Sequence, residues 1–310
     1  MQSLVKKPPA LMIGDTIAVV APASNIKREM LAAGIRELQQ LGYKVKYKES
    51  IFELARYTAG DTKRRSDELN EMLLDPEVKA IFAARGGYGS AKLFDQISPE
   101  AIAAGPKILL GYSDITSLLI WFYQKHSWVT FHGPMVAKDF AAGASHYDKR
   151  SFTKTLTRPL PAGPLDHKTL EVLHPGRARG RLLGGCLPII VSSIGTDWEL
   201  ETENAILFLE DTATKPYQID RMLTHLKMAG KLDSVSGIVF GEMNNCMQHP
   251  DQGYSLQEVV KDLTEELGVP VLYGLRSGHS EIGNQTLPFG VEVSLDCEKG
   301  ILAIEEEAVQ

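Results

Sequence analysis

Cysteine is scarce in this sequence, and the spacing of its three cysteines removes two classes of protein. Cys186, Cys246 and Cys297 lie far apart, and no CxxC pair occurs among the 310 residues. This spacing supports neither a zinc knuckle nor a disulfide framework. We therefore expect three buried thiols in a protein of a reducing compartment.

Long apolar runs and an excess of basic residues are also lacking. No run approaches the ~18 apolar residues that a membrane span requires, and the first fifteen residues lack the apolar core of a signal peptide. The formal charge is −6, from 33 Lys and Arg against 39 Asp and Glu, which argues against nucleic-acid binding. We expect a cytoplasmic protein that binds neither a membrane nor a nucleic acid.

The first half of the chain alternates strand and helix patterns. Apolar, β-rich runs at 16–21, 79–84 and 108–110 alternate with amphipathic segments that include 27–41 and 114–126. Alternation of this kind predicts a parallel sheet with helices on both faces. We therefore predict an α/β fold with a Rossmann-like N-terminal domain.

The second half of the chain is less regular. It has strand patterns at 205–209, 237–240 and 291–295, and helix patterns at 216–230 and 255–267. These patterns predict a smaller C-terminal domain of mixed α/β structure.

The chain length favours two domains, and residues 141–180 are interpreted as the connection between them. This stretch contains several prolines, histidines and arginines without clear periodicity. The predicted boundaries are 1–165 for the N-terminal domain, 166–180 for a linker and 181–310 for the C-terminal domain.

A serine lies where the predicted strand at 108–110 meets its helix, in the stretch ILLGYSDITSLL. Ser113 follows Gly111, which permits a tight turn, and precedes a helix with free N–H groups at its start. The stretch partly matches the G-x-S-x-G nucleophile elbow, with Ile115 in place of the second glycine. Serine is also a preferred helix N-cap. The local pattern therefore leaves two roles open for Ser113, nucleophile and cap.

A glycine cluster, Arg85-Gly-Gly-Tyr-Gly89, ends the preceding strand. Its N–H groups could supply half of an oxyanion hole beside Ser113, or they could form an ordinary turn. The cluster is a poor nucleotide motif, because Lys92 stands where GxGxxG requires its third glycine. No GxxxxGK[ST] motif occurs anywhere in the chain.

A serine nucleophile requires a base, and the base requires a group that orients it. Among the eight histidines, His279 stands out, because it follows a strand pattern at 269–275 in a polar turn. His132 flanks a predicted strand and is interpreted as structural. Glu210 and Glu242 each follow an apolar strand and are the two candidates for the orienting carboxylate. Either could instead be an ordinary surface carboxylate.

A series of short motifs runs along nearly the full chain. In order, they are Gly14-Asp15, Val20-Ala-Pro-Ala-Ser24, Arg85-Gly-Gly-Tyr-Gly89, Gly111-Tyr-Ser-Asp-Ile-Thr116, His132-Gly-Pro134, Gly184-Gly185, Leu207-Phe-Leu-Glu-Asp211, Pro216-Tyr217, Ile219-Asp-Arg221, Gly278-His279, Asn284 and Thr286-Leu-Pro288. Each motif is weak alone. Their order and spacing together resemble the L,D-carboxypeptidases, which are serine peptidases of peptidoglycan recycling, and the related microcin-immunity peptidases.

The resemblance implies a Ser-His-Glu triad of Ser113 as nucleophile, His279 as base and Glu210 as orienting carboxylate. It also implies an oxyanion hole formed by the backbone N–H groups of Gly87 and Asp114. It further implies an active site between the two domains, no metal or other cofactor, and a cytoplasmic homodimer. Arg85 is a candidate for binding the terminal carboxylate of a peptide, because it lies beside the glycine cluster.

The expected activity is release of the terminal D-Ala from an L-centre in a murein tetrapeptide. The alternative is a microcin-immunity-like peptidase that cleaves an aminoacyl-nucleotide antibiotic. The segment 194–198 is short, whereas microcin-immunity members tend to have a longer insertion there, and this favours the carboxypeptidase. A third hypothesis is a non-catalytic module that binds a small anion at the helix after Ser113.

One residue departs from the pattern of the family. Cys186 follows Gly184-Gly185, where the family usually carries an asparagine. The departure puts a polar contact near the domain junction in doubt and leaves the triad untouched.

Overall fold

A computed structural model describes residues 5–165, 170–247, 251 and 253–310. The strands of these residues are β1 Thr16–Val20, β2 Lys44–Lys46, β3 Leu54–Ala55, β4 Thr58–Ala59, β5 Val78–Ala83, β6 Ile108–Gly111, β7 Thr130–His132, β8 Gly163–Leu165, β9 Glu171–His174, β10 Arg177–Cys186, β11 Ala205–Glu210, β12 Gly237–Gly241, β13 Val271–Leu275, β14 Leu287–Phe289, β15 Glu292–Asp296 and β16 Ile301–Ile304. The α-helices are α1 Arg28–Gln40, α2 Thr62–Leu74, α3 Pro99–Ala103, α4 Thr116–His126, α5 Lys149–Leu156, α6 Leu187–Ser193, α7 Pro216–Met228 and α8 Leu256–Glu265.

The first sheet has six strands in the order β14-β7-β6-β5-β1-β2, and all pairs except β14–β7 are parallel. β1 and β5 are almost wholly buried, as expected for strands of a parallel sheet covered on both faces. The predicted α/β fold with a mostly parallel N-terminal sheet is therefore confirmed. The antiparallel edge strand β14 comes from the C-terminal part of the chain.

The second sheet has eight strands in the order β8-β16-β15-β10-β11-β12-β13-β9. Its centre, β10 to β13, is parallel, and its outer strands pair in antiparallel fashion. This is the mixed C-terminal sheet that the sequence predicted. Leu207, Ile238 and Phe240 are fully buried in the core beside it.

The segment 141–180 contains more regular structure than its sequence indicated. It forms the helix α5 and contributes β8, β9 and the start of β10 to the second sheet. β8 and β9 are short edge strands whose positions depend on β16 and β13, which lie far away in sequence. The lack of periodicity in the sequence thus did not indicate these elements, while the interpretation of the segment as the connection between domains and the boundaries at 165 and 181 stay predictions. Residues 166–169 of the predicted linker lie outside the described residues.

No helix within the described ranges is both long enough and apolar enough to span a membrane. The three cysteines are buried free thiols, as predicted.

Candidate active site

Ser113 lies at a strained turn between β6 and α4. Its φ is +63°, a left-handed conformation that is costly for a residue with a side chain and that persists where the surroundings impose it. A short 3-10 turn, Ser113–Ile115, leads into α4, and neither this turn nor α4 has a side-chain N-cap hydrogen bond. The capping interpretation of Ser113 is therefore wrong. The strand, the strained serine and the helix have the geometry of a nucleophile elbow.

The glycine cluster packs directly against this serine. A Cβ atom on Gly86 would lie 3.0 Å from the Ser113 Oγ, so only glycine permits the approach. The carbonyl of Gly86 accepts a hydrogen bond from the Ser24 N–H at 3.2 Å. On the other side, the buried Arg65 guanidinium donates to the Gly89 carbonyl at 2.7 Å. Hydrogen bonds at both ends therefore fix the position of the loop beside Ser113.

The N–H groups of Gly87 and Asp114 are available at this turn. The Gly87 N–H has no acceptor in the part of the chain that the structure describes, and the Asp114 N–H lies in the first turn of a helix, where such groups lack intrahelical acceptors. The Asp114 carboxylate accepts from the Ser90 N–H at 2.9 Å, and its carbonyl accepts from the Ser90 hydroxyl at 2.7 Å. These bonds connect the glycine loop to the elbow.

Glu210 and His279 form a close pair at the carboxyl edge of the second sheet. Glu210 ends β11 and is 1% exposed. Its Oε2 accepts from the His279 Nδ1–H at 2.7 Å and from the His279 backbone N–H at 3.1 Å. A Cβ atom on Gly278 would lie 2.5 Å from the Glu210 Cδ, so a glycine before His279 is required for this contact.

The electrostatics of the pair favour an ionised carboxylate. Burial alone would raise the pKa of Glu210, but its interactions with His279 and His132 outweigh burial and hold this pKa below its usual range. An anion on Glu210 fixes the proton of His279 on Nδ1, because a carboxylate can only accept hydrogen bonds. The Nε2 of His279 is then free to accept a proton.

Tyr112 connects the two halves of the site. Its ring packs edge to face with the His279 ring, with centroids 5.1 Å apart and an interplanar angle of 90°, and it immediately precedes Ser113. Its hydroxyl donates to Asp139 at 3.3 Å. The Ser113 hydroxyl makes no hydrogen bond within the described residues, and in substrate-free sites such bonds are often long or unformed.

Of the two carboxylates that the sequence left open, Glu210 contacts His279. Glu242 instead faces Arg276, whose Nε lies 3.4 Å from its Oε1. Among the loop histidines, His167 and His249 lie outside the described residues.

His132 lies beside Glu210, although its sequence position gave it only a structural interpretation. It ends β7, is 0% exposed, and its Nε2 lies 3.7 Å from the Glu210 Oε1. No local pattern indicated this contact, because it joins a strand of the first sheet to a strand of the second.

Cys186 is also a neighbour of this pair. It is the register partner of Glu210 across β10 and β11, and burial raises the pKa of its thiol well above the usual value. Cys186, Glu210 and His279 offer potential metal-ligand atoms within 4.8 Å of one another. Glu210 and His279 are already joined by a hydrogen bond, and the absence of a metal requirement stays a prediction.

Two cavities flank the site. One of about 540 Å³ is lined by His279 together with Lys138, His146 and Asn244. The other, of about 90 Å³, lies beside Gly89 and Asp114 and is mostly apolar, with Trp198 on its wall. Arg85 is exposed at the edge of the glycine cluster, lines neither of these cavities, and donates a hydrogen bond to the Asn25 carbonyl at 3.3 Å.

Comparison with known families matches both halves of the chain. Residues 17–133 match the LD-carboxypeptidase N-terminal domain, and residues 179–295 match the LD-carboxypeptidase C-terminal domain.

Similar proteins cover nearly the whole chain. A probable murein peptide carboxypeptidase of Bacillus subtilis is 36% identical, over 98% of this chain and 95% of its own length. The microcin C7 self-immunity protein of Escherichia coli is 30% identical, over 96% of this chain and 95% of its own length. A structure of a microcin C7 self-immunity protein with aspartyl sulfamoyl adenosine has a TM-score of 0.88 at 27% identity, with 98% and 99% covered. The structure of a muramoyltetrapeptide carboxypeptidase of Oxalobacter formigenes has a TM-score of 0.83 at 29% identity, with 94% and 99% covered.

The fold and these matches define the class of protein as a peptidase-type hydrolase. Within that class, the chain belongs to the LD-carboxypeptidase family.

Proposed function

We propose that this protein is a serine carboxypeptidase that releases the terminal D-Ala from L,D-linked murein tetrapeptides during peptidoglycan recycling. The observation that carries the proposal is a strained, half-buried Ser113 that directly follows Tyr112, whose ring packs on His279 with centroids 5.1 Å apart. His279 in turn is hydrogen-bonded to the buried Glu210 at 2.7 Å. We further propose that it acts in the cytoplasm as a homodimer, without a metal or other cofactor. These last properties follow from the resemblance to the family.

In the proposed reaction, the Ser113 Oγ attacks the carbonyl carbon of the L,D-peptide bond while His279 Nε2 takes its proton. Glu210 keeps the imidazole oriented and stabilises the imidazolium that forms. The negative charge that develops on the carbonyl oxygen is stabilised by the N–H groups of Gly87 and Asp114.

The tetrahedral intermediate then expels the amine of D-Ala, which takes the proton from His279 Nε2. The C–N bond breaks and an ester to Ser113 remains. Water attacks the ester, gives its proton to His279, and the Ser113 oxygen leaves with that proton. One histidine thus serves as base and acid in both halves of the reaction.

The free carboxylate of the leaving D-Ala requires a positive partner or backbone N–H groups. We propose Arg85 for this role, because it is exposed at the edge of the glycine cluster that packs on Ser113. Lys138 is the competing cation, since it lines the larger cavity together with His279.

The sequence identities support murein peptides as substrates, because the Bacillus subtilis carboxypeptidase is more similar in sequence than the microcin self-immunity protein. The TM-score of 0.88 to a structure of a microcin C7 self-immunity protein with aspartyl sulfamoyl adenosine keeps an aminoacyl-nucleotide as the second candidate substrate. The short segment between α6 and β11 favours murein peptides as the substrate.

The decisive experiment is digestion of defined muropeptides with mass spectrometry of the products. We expect loss of D-Ala from the free tetrapeptide, with the tripeptide stable and the Ser113→Ala variant inactive. An aminoacyl sulfamoyl nucleotide is assayed in parallel. Cleavage of that compound alone would contradict the murein assignment, and cleavage of neither substrate by a folded protein would favour the anion-binding module.

A further inference from the structure

His132 and Glu210 face each other inside the protein, and within the described ranges the facing atoms have no other partner. The His132 Nε2 and the Glu210 Oε1 are 3.7 Å apart. Both atoms are buried and neither has a hydrogen bond among the described residues. The other carboxylate oxygen, Oε2, is occupied by His279. His132 therefore places a ring nitrogen 3.7 Å from the free oxygen of the proposed orienting carboxylate.

The opposite nitrogen of His132 limits where its proton can lie. The His132 Nδ1 is 3.1 Å from the hydroxyl oxygen of Ser277, which can also donate to the Gln285 carbonyl at 2.9 Å. Burial lowers the pKa of His132 despite the neighbouring Glu210. The neutral ring therefore carries one proton, either on Nδ1 or on Nε2. If Ser277 used its only proton on Gln285, the His132 Nδ1 would have to donate, and a bare Nε2 would face a carboxylate.

If the Nε2 lone pair faced Glu210, a buried charged carboxylate oxygen would lack a hydrogen-bond donor. That loss destabilises the protein more than the loss of one hydrogen bond between the neutral Ser277 hydroxyl and the Gln285 carbonyl. The favoured arrangement has Ser277 donating to the Nδ1 of His132 and the Nε2–H pointing at Glu210. The gap of 3.7 Å closes to hydrogen-bond distance with a side-chain shift of about half an ångström.

We propose that His132 is a positioning residue for the catalytic site, holding the Oε1 of Glu210 through its Nε2–H. In this arrangement Glu210 lies between two imidazoles, with His279 on one oxygen and His132 on the other. His132 itself touches no reacting atom. Its rigid setting between the rings of Phe208 and Phe289, with centroids 5.2 and 5.5 Å away, keeps the donor in place.

This inference rests on the proposed function for its kinetic consequence, whereas the proton position can be measured without any substrate. The first test is nitrogen NMR of the substrate-free wild-type protein labelled in its histidines. We expect the His132 Nε2 to carry a proton at neutral pH. An unprotonated Nε2 would overturn the proposal, whatever the substrate proves to be.

The second test uses two substitutions of His132, each of which keeps a polar group near only one of the two ring nitrogens. His132→Gln places an amide donor near the position of Nε2, whereas His132→Asn keeps a polar group only near Nδ1. We expect His132→Asn to lower kcat for the tetrapeptide at least tenfold with KM within twofold, and His132→Gln to retain kcat within about threefold of wild type.

A matched control is His126, which ends α4 and also has a buried Nε2 without a partner among the described residues. His126→Asn and His126→Gln should leave kcat unchanged. Equal losses of kcat in the two His132 variants, or no loss in His132→Asn, would contradict the positioning role while leaving the carboxypeptidase assignment intact. An inactive wild-type protein would contradict that assignment and leave the NMR result to decide on His132.

Discussion

Each half of the molecule buries a glutamate at the carboxyl edge of its sheet, and the two carboxyl groups are held in opposite ways. Glu68, on α2, reaches the end of β1 and accepts the Ala21 N–H at 3.0 Å, with Arg64 3.2 Å away. Glu210 ends β11 and accepts two hydrogen bonds from His279. Both residues are 1% exposed, so burial alone does not distinguish them.

The surrounding donors determine the difference in pKa. For Glu68, burial outweighs Arg64 and the Ala21 N–H and raises the pKa to about 7. For Glu210, the contacts with His279 and His132 outweigh burial and keep the pKa below its usual range. The buried glutamate of the half that contains Ser113 is therefore held closer to its neutral form, whereas the buried glutamate of the other half is held as an anion.

The largest effect on activity should come from substitution of Ser113. Ser113→Ala removes the oxygen that we propose as the nucleophile and should lower kcat/KM for the tetrapeptide by at least about 10⁴-fold, measured by release of D-Ala. Ser113→Gly is the matched variant, since it is equally inactive but relieves the positive φ. We expect it to be more stable than Ser113→Ala to urea by about 1 kcal/mol. Residual activity near wild type in either variant would exclude Ser113 as nucleophile.

The next largest effect on activity should come from substitution of His279 and Glu210. His279→Ala should cost nearly as much as Ser113→Ala, because the base is lost. Glu210→Gln should cost less, about 10³-fold in kcat, because it removes orientation and charge but leaves the imidazole. Glu242→Gln is the control and should stay within twofold, since Glu242 pairs with Arg276. A larger loss in Glu242→Gln than in Glu210→Gln would show that the wrong carboxylate has been assigned.

Stability as a function of pH sharpens the contrast between the glutamates. Folding raises the pKa of Glu68 from 4.5 to about 7. The contribution of Glu68 to the free energy of unfolding is therefore fully present below about pH 4.5 and is lost as the pH rises to about 7. The loss is of the order of 3 kcal/mol. Glu68→Gln stays neutral, so its free energy of unfolding should fall less between pH 5 and pH 8 than that of wild type.

Urea unfolding at the two pH values measures this difference. Asp67→Asn, on the exposed side of the same helix, is the matched control and should follow the wild-type curve. Parallel pH dependence in wild type and Glu68→Gln would contradict the raised pKa.

The smallest predicted effect concerns Arg85. If its guanidinium binds the terminal carboxylate, wild type should prefer the tetrapeptide acid over its C-terminal amide, and Arg85→Gln should lower that kcat/KM ratio at least tenfold, about 1.4 kcal/mol. Lys138→Gln is the comparison. A loss of preference in Lys138→Gln alone would place the carboxylate in the larger cavity, and equal wild-type rates on acid and amide would exclude carboxylate recognition.

The strand patterns predicted β1, β5 and β6 of the first sheet, because each of these is a mostly apolar and buried run. Ser113, Glu210 and His279 became candidates because each lies at or beyond the end of a strand, at the edge where parallel strands place functional groups. Their assignment as a triad was implied by the resemblance to the family and stays a prediction. β8 and β9 were missed, since short edge strands take their position from distant partners. His132 was missed for a related reason, because its contact with Glu210 exists only once the two sheets meet.

The central claim is that Ser113 and the Glu210–His279 pair, delivered by different sheets, act as one catalytic unit. The most direct test is kcat/KM for the tetrapeptide in wild type, Ser113→Ala, Glu210→Gln and the double variant. Residues that act as a unit are strongly non-additive, so we predict that Glu210→Gln lowers activity about 10³-fold in wild type and adds nothing in the Ser113→Ala background. The same loss in both backgrounds would contradict the claim, because the two residues would then act independently.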